Sequence, residues 1–186
     1  QFGDTVNADR SPSWNDPETT ATLDLCLSCK ASKTECPSNV DISRLKAEYQ
    51  AQSYAASGGA PLAVRVFGHV RRANRMGAML PRLSNAIGRL APVRMVMNRV
   101  LGLSPHRSLP TFSVPLPKRL PRSAPGVDSA RPVVLLYGDC FSTYNESDIG
   151  VAAATLLRAF GYRVEYIDAG CCGRAMMSTG LLPAAI

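Results

Sequence analysis

The run Cys26-Leu27-Ser28-Cys29-Lys30-Ala31-Ser32-Lys33-Thr34-Glu35-Cys36-Pro37 sets three thiols and one hydroxyl at spacings of two, two and three intervening residues. Two intervening residues let a chain reverse so that neighbouring sulfurs face one inorganic centre, and a proline after the last donor steers the backbone away. Soft thiolates at this spacing suit an iron–sulfur cluster. Two plainer readings stand beside that one. The pair Cys26 and Cys29 could be half of a zinc knuckle completed by donors elsewhere, or all three thiols could be ordinary buried side chains. Ser32 departs from a full thiolate set, because a hydroxyl ionises far less readily than a thiol and its harder oxygen suits iron less well.

A second group of thiols lies downstream, Cys140 in Tyr137-Gly138-Asp139-Cys140-Phe141 and the adjacent pair in Ala169-Gly170-Cys171-Cys172-Gly173-Arg174. The elements that must position them read as a βαβ unit. Residues 133–137 form an apolar run between Pro132 and Gly138, which suits a buried parallel strand. Asn145 to Phe160 reads as a helix, with Asn145 as its cap, Glu146 and Asp148 in the first turn, and Gly161 where a left-handed residue ends it. Tyr162 to Ile167 supplies the second strand. Loops at the carboxyl ends of parallel strands collect functional groups, so Cys140 is expected beside Cys171 and Cys172 although 30 residues separate it from the first of them. Adjacent cysteines bridge each other only with strain, and a tight loop that tolerates small residues is the plain alternative.

The net charge of +7 is concentrated in the middle, where every formally charged residue from Arg65 to Arg122 is basic. Asp41 caps a predicted helix running to about Ser57. Further amphipathic helices are expected over Pro61–Met79 and Pro81–Leu101, the second kinked at Pro92. From Ser104 to Pro132 recurrent prolines suggest a semi-rigid extended linker. The basic stretch reads either as a helical connector with solvated arginines or as a contact for anionic lipid headgroups or an acidic partner. Nucleic acid is disfavoured, since neither aromatic interleaving nor a helix-turn-helix pattern is evident. His69 and His106 lie far from the cysteines in sequence and are not taken as ligands. Gly170 to Gly173 makes no dinucleotide fingerprint, and no Ser-His-Asp arrangement is present.

Leu23-Asp24-Leu25-Cys26-Leu27-Ser28-Cys29-Lys30, Cys36-Pro37-Ser38-Asn39-Val40-Asp41, Leu45-Lys46-Ala47-Glu48 and both downstream cysteine strings together resemble a known family. It comprises iron–sulfur oxidoreductases in which ferredoxin-type motifs precede cysteine-rich CCG domains. Members include iron–sulfur subunits of glycolate oxidase and anaerobic glycerol-3-phosphate dehydrogenase, and chains fused behind an FAD-linked oxidase domain of the D-lactate or D-2-hydroxyacid dehydrogenase type. The likeness covers residues 17–58 and 130–183. It implies a 4Fe-4S cluster held by Cys26, Cys29 and Cys36, with Ser32 at the fourth position, and a CCG redox site containing Cys140, Cys171 and Cys172. It also implies FAD on a domain outside this sequence, oxidation of a 2-hydroxy acid there, and electron transfer here. The second ferredoxin motif and the later C-x2-C of the CCG domain are missing, so the chain is expected to be an internal piece of a longer protein.

The expected fold is α+β. An α-helical ferredoxin-like segment (17–58) precedes a basic helical connector (61–102), a Pro-rich linker (103–131) and a truncated α/β CCG domain (132–186). Expected partners are a flavin dehydrogenase domain or subunit and an anionic membrane surface. No secretory-signal pattern is read, so the expected location is cytoplasmic and peripheral at the inner face of the membrane. The alternative from another class is a cluster-free remnant or interaction module without redox activity.

Overall fold

The structure is a computed structural model that describes residues 13–120 and 131–185. Its chain divides into two units, one made of residues up to His69 together with those from Gly173 onward, the other of Val70–Cys172.

In the first unit, helix α1 (Pro17–Asp24) starts where Asp16 accepts a bond from the Thr19 amide at 2.7 Å and Pro17 presets the first turn. Helix α2 (Ala31–Glu35) is a single short turn. Helix α3 (Ile42–Ala56) is capped by Asp41, which accepts from the Arg44 amide at 3.0 Å and the Ser43 hydroxyl at 2.6 Å. It ends where Gly58 adopts a left-handed conformation and the Gly59 amide reaches back to the Tyr54 carbonyl, close to the predicted end at Ser57. The segment before α1 is tied to α3. Trp14 packs edge-on against Tyr49, and Asn15 Oδ1 accepts from the Ser53 and Ser57 hydroxyls. Helix α4 (Leu62–Gly68) follows.

The second unit opens with α5 (Val70–Gly77), α6 (Pro81–Arg89) and α7 (Ala91–Leu101). The helix expected over Pro61–Met79 is thus two helices broken at His69. The one expected over Pro81–Leu101 is also two, because Leu90 turns extended and Pro92 sits in the first turn of α7, where its missing amide costs no helical bond. Residues 104–120 are not a free extended linker. Phe112 fills the space above Gly77, and its backbone is clamped by Asn85, which donates to the Phe112 carbonyl and accepts from its amide, both at 2.8 Å. The short helix α8 (Leu116–Arg119) buries Leu116 to 1% exposure against Gly150, a position where any side chain would collide with it. The remainder of the proposed linker, 121–130, lies outside the described residues.

Strand β1 (Val133–Tyr137) leads into α9 (Cys140–Tyr144), then α10 (Ser147–Ala159) and strand β2 (Arg163–Ile167). The strands pair in parallel, from Val133 opposite Arg163 to Tyr137 opposite Ile167. This is the expected βαβ order, and the mixture of helices with a small parallel sheet is α+β. Two details differ. Asn145 does not cap the long helix but closes α9, and its amide donates to the Thr111 carbonyl at 3.0 Å while its carbonyl accepts from buried Asn74 at 2.8 Å. Strand β1 is covered on one face only, with Val133, Leu135 and Tyr137 exposed, so the sheet is single-sided and not buried on both faces. Gly161 ends α10 at φ +90°, as its position predicts.

After Cys172 the chain returns to the first unit through α11 (Arg174–Ser178) and α12 (Leu182–Ala185), which pack on α3 and α4. Among the described residues no helix is long and apolar enough to cross a membrane.

Candidate functional site

The upstream cysteines lie in a loop of unusual backbone. Ser28, Lys30 and Asn39 all take positive φ without being glycine, at 54°, 64° and 53°. Each such residue costs on the order of 1 kcal/mol, and such departures cluster where side chains or amides must be aimed. Cys26 closes α1, with its amide donating to the Leu23 carbonyl at 3.0 Å and its own carbonyl accepting from Lys46 Nζ at 2.9 Å. Cys36 caps α2 in an extended conformation, just before Pro37. The turn that follows directs the amides of Val40, Ser38 and Asn39 at its sulfur and holds the thiol below its ordinary range, since amide donors favour the thiolate. Cys26 and Cys36 are half-buried and Cys29 is exposed, and all three are free thiols.

Ser32 is engaged elsewhere: its hydroxyl accepts from the Ile42 amide at 3.3 Å, at the start of α3. The loop therefore offers three thiols and a hydroxyl already used as a helix-terminal acceptor. As donors they suit iron–sulfur chemistry in kind, and Cys36 has the amide surroundings a cluster thiolate uses. The geometry does not gather them. Among the described residues no group of three or more His, Cys, Asp or Glu side chains is arranged to hold a metal ion.

The downstream cysteines are brought together. Parallel pairing places the ends of β1 and β2 side by side, and the loops after Tyr137 and Ile167 carry Cys140 and Cys171 to one end of the sheet. Asp139 caps α9 by accepting from the Phe141 amide at 2.7 Å, the Ser142 amide at 3.1 Å and the Ser142 hydroxyl. That fixes Cys140 as the first residue of the helix. Burial pushes the Cys140 thiol above its ordinary range; a hydrogen bond from Arg71 opposes this, and the adjoining Cys171 adds to it. Tyr137 donates to the Gly170 carbonyl at 3.1 Å. Its phenol is raised by burial first, then by the neighbouring Cys172, with Cys140 and Cys171 adding smaller pushes.

Arg71 joins these loops. Its Nη1 donates to the Gly138 carbonyl at 3.0 Å after β1, and its Nη2 pairs with Asp168 after β2. Its guanidinium also lies 5.6 Å from the centroid of the Tyr144 ring. Asp168 Oδ1 accepts in turn from the Gly170 amide at 3.0 Å, ordering the loop before Cys171. Gly138 is required at the close approach, because a side chain there would collide with the Tyr166 ring. Sequence reasoning found the three cysteines but not Arg71, Asp139 or Asp168. Asp139 was accessible, as an acceptor residue directly before a short helix. Arg71 was hidden in the uniformly basic stretch, since its partners lie 67 and 97 residues away.

The site is thus a partly buried thiol beside a second thiol, under a guanidinium held by a carbonyl and a carboxylate. Arg71 offsets part of the cost of negative charge on the Cys140 sulfur, by hydrogen bonding and as a nearby cation, while burial and Cys171 keep the thiol form favoured. Comparison of the chain with protein-family models, curated proteins and solved structures gave no match.

Proposed function

We propose that the chain is an electron-transfer segment of an FAD-linked oxidoreductase that oxidises a 2-hydroxy acid, with the flavin on a separate domain or subunit. The observation that carries this reading is the meeting of Cys140 and Cys171 at one end of the parallel sheet, locked by Arg71. Paired thiols at strand ends beside a fixed cation are an arrangement suited to redox or soft-metal chemistry. The amides around the Cys36 sulfur support the same reading at the upstream loop. Cys26, Cys29 and Cys36 are the residues that would hold a 4Fe-4S cluster, which when bound supplies one-electron carriage. The chain's own contribution is to favour the Cys36 thiolate with amide donors, to place Lys46 behind the Cys26 carbonyl, and to hold Cys140 and Cys171 at one end of the sheet. Docking of the basic middle on an anionic membrane face belongs to the same proposal.

The engaged Ser32 hydroxyl favours a second reading, a cluster-free interaction module. Anaerobic reconstitution separates the two. Iron and sulfide bound by the wild type, lost in Cys26→Ser and Cys36→Ser and raised toward stoichiometric amounts in Ser32→Cys, are expected. A chain that binds neither iron nor sulfide in wild-type or Ser32→Cys form would overturn the cluster and leave the cluster-free reading.

A further inference from the structure

A cleft of about 500 Å³ opens in the second unit between α6, the start of α7 and the returning segment 105–112. Its walls are built by side chains gripping backbone. Arg94 Nη2 donates to the Ser104 carbonyl at 3.3 Å and to the Arg107 carbonyl at 2.7 Å, closing one end. Asn85 clamps the Phe112 backbone in both directions and closes the other. Arg89, Arg94, His106 and Arg107 line the space together with neutral hydroxyl and amide side chains, and no acidic residue lines it. Leu109 and Phe112 give it an apolar wall.

One donor there is unmatched. Nη1 of Arg94 is shielded from solvent and has no acceptor among the described residues, so an anion in the cleft reaches it once the side chain turns outward. A guanidinium normally satisfies such a group, because a buried cationic donor without an acceptor is costly. Arg89, Arg94 and Arg107 bring three positive charges to one cleft, more than a single carboxylate would balance, and His106 adds a ring nitrogen. A phosphate group carries nearly two negative charges at neutral pH and presents several acceptor oxygens to the planar fork of arginine. The volume suits a small molecule of the usual size for ligand clefts.

From these observations we infer that this cleft binds a phosphate group, held by Arg89, Arg94, Arg107 and His106, with the rest of the ligand against Leu109 and Phe112. The inference is independent of the redox reading, since none of the cysteines contributes to it. The same chemistry is offered by a soluble phosphomonoester and by the phosphomonoester headgroup of phosphatidic acid, and the two sources are separable.

The test titrates the whole 186-residue chain with inorganic phosphate by calorimetry at fixed ionic strength, and measures co-sedimentation with phosphatidic acid vesicles against phosphatidylcholine vesicles. Saturable phosphate binding near one equivalent is expected. It should weaken about ten-fold or more in Arg89→Gln/Arg107→Gln, which removes two charge-assisted contacts but leaves the backbone clamps in place. Arg94→Gln is the stronger perturbation, and near-ultraviolet circular dichroism shows whether it still folds. Free phosphate that binds and also releases the vesicles identifies a site open to either source. Vesicle binding that is lost in the double variant, without binding of free phosphate, identifies the headgroup. If neither probe binds saturably, or if the folded double variant binds as wild type does, the cleft is not a phosphate site.

Discussion

Replacing Arg71 with methionine removes a side chain that ties both strand-end loops together. Four interactions go at once, one of them the hydrogen bond to the Cys140 thiol. The charge-assisted bond to the Gly138 carbonyl contributes about 1.5–3 kcal/mol. The ion pair with Asp168 contributes at most about 1 kcal/mol, because that carboxylate is 53% exposed and screened by solvent. Contact with the Tyr144 ring contributes about 0.5–2 kcal/mol. One guanidinium serves all four, so they do not add fully, and the expected loss is about 2–4 kcal/mol in urea unfolding followed by circular dichroism. A second readout is specific to the site. Burial and Cys171 both push the Cys140 thiol up, and Arg71 opposes them. Without Arg71 the inflection in the rate of Cys140 alkylation should therefore move to higher pH. Because the folded thiol is raised, its contribution to stability is intact below its unfolded value of about 8.5 and is lost as pH rises through the folded value. Arg71→Met should steepen the loss of stability above that value. An unchanged midpoint, or an alkylation inflection that stays put or moves down, would refute the bridging role assigned to Arg71.

Leu116→Ala should cost about 2–5 kcal/mol in thermal or urea unfolding, since Leu116 is 1% exposed and packs into the space left by Gly150; a loss below 1 kcal/mol would mean that residues 111–120 do not pack as described. Cys36 and Cys140 should titrate in opposite directions, with the alkylation inflection of Cys36 below that of Cys140, because amide donors favour the Cys36 thiolate while burial disfavours that of Cys140. Identical profiles measured by mass spectrometry would count against both environments. Binding of the whole chain to anionic vesicles should fall steeply between low and about 0.1 M salt, where the screening length is about 10 Å, and salt-independent binding would remove electrostatic docking.

Local chemistry was readable where the signal and its effect lie close together. Asp41 marks the start of α3, and Gly161 marks the end of α10, because caps act on amides within one turn. Strand identity and parallel order followed from short apolar runs flanking a helix, and register then delivered Cys140 to Cys171. Asn145 shows where this reasoning stops. Its residue type is right for a helix cap, but its amide finds the Thr111 carbonyl and its carbonyl finds Asn74, partners supplied by segments 34 and 71 residues away. The Pro-rich segment misled for a related reason. Prolines remove amides and stiffen the backbone, yet they say nothing about whether Phe112 and Leu116 find glycines to pack on, and here both do.

The basic middle carries the general lesson furthest. Read as composition, its arginines form one field, and field strength falls off with distance and salt alike. In the folded chain they separate into distinct roles. Arg71 bridges two loops, Arg94 clamps a turn with one nitrogen and leaves the other unmatched, and Arg119 meets Ser147 and Asp148 at 2.8 and 2.6 Å. The acidic partners, Asp148 and Asp168, lie outside the basic stretch, so inspection of that stretch alone overstates its free charge. What remains without an acidic partner around the cleft is Arg89, Arg94 and Arg107. If electrostatic attraction to anionic vesicles is general to the field, neutralising Arg89 and Arg107 should weaken it no more than neutralising Arg72 and Arg75, a pair outside the cleft. If the cleft is the seat of binding, the first pair should weaken it by about ten-fold and the second by far less. Equal losses at matched salt would return these residues to a diffuse charged surface.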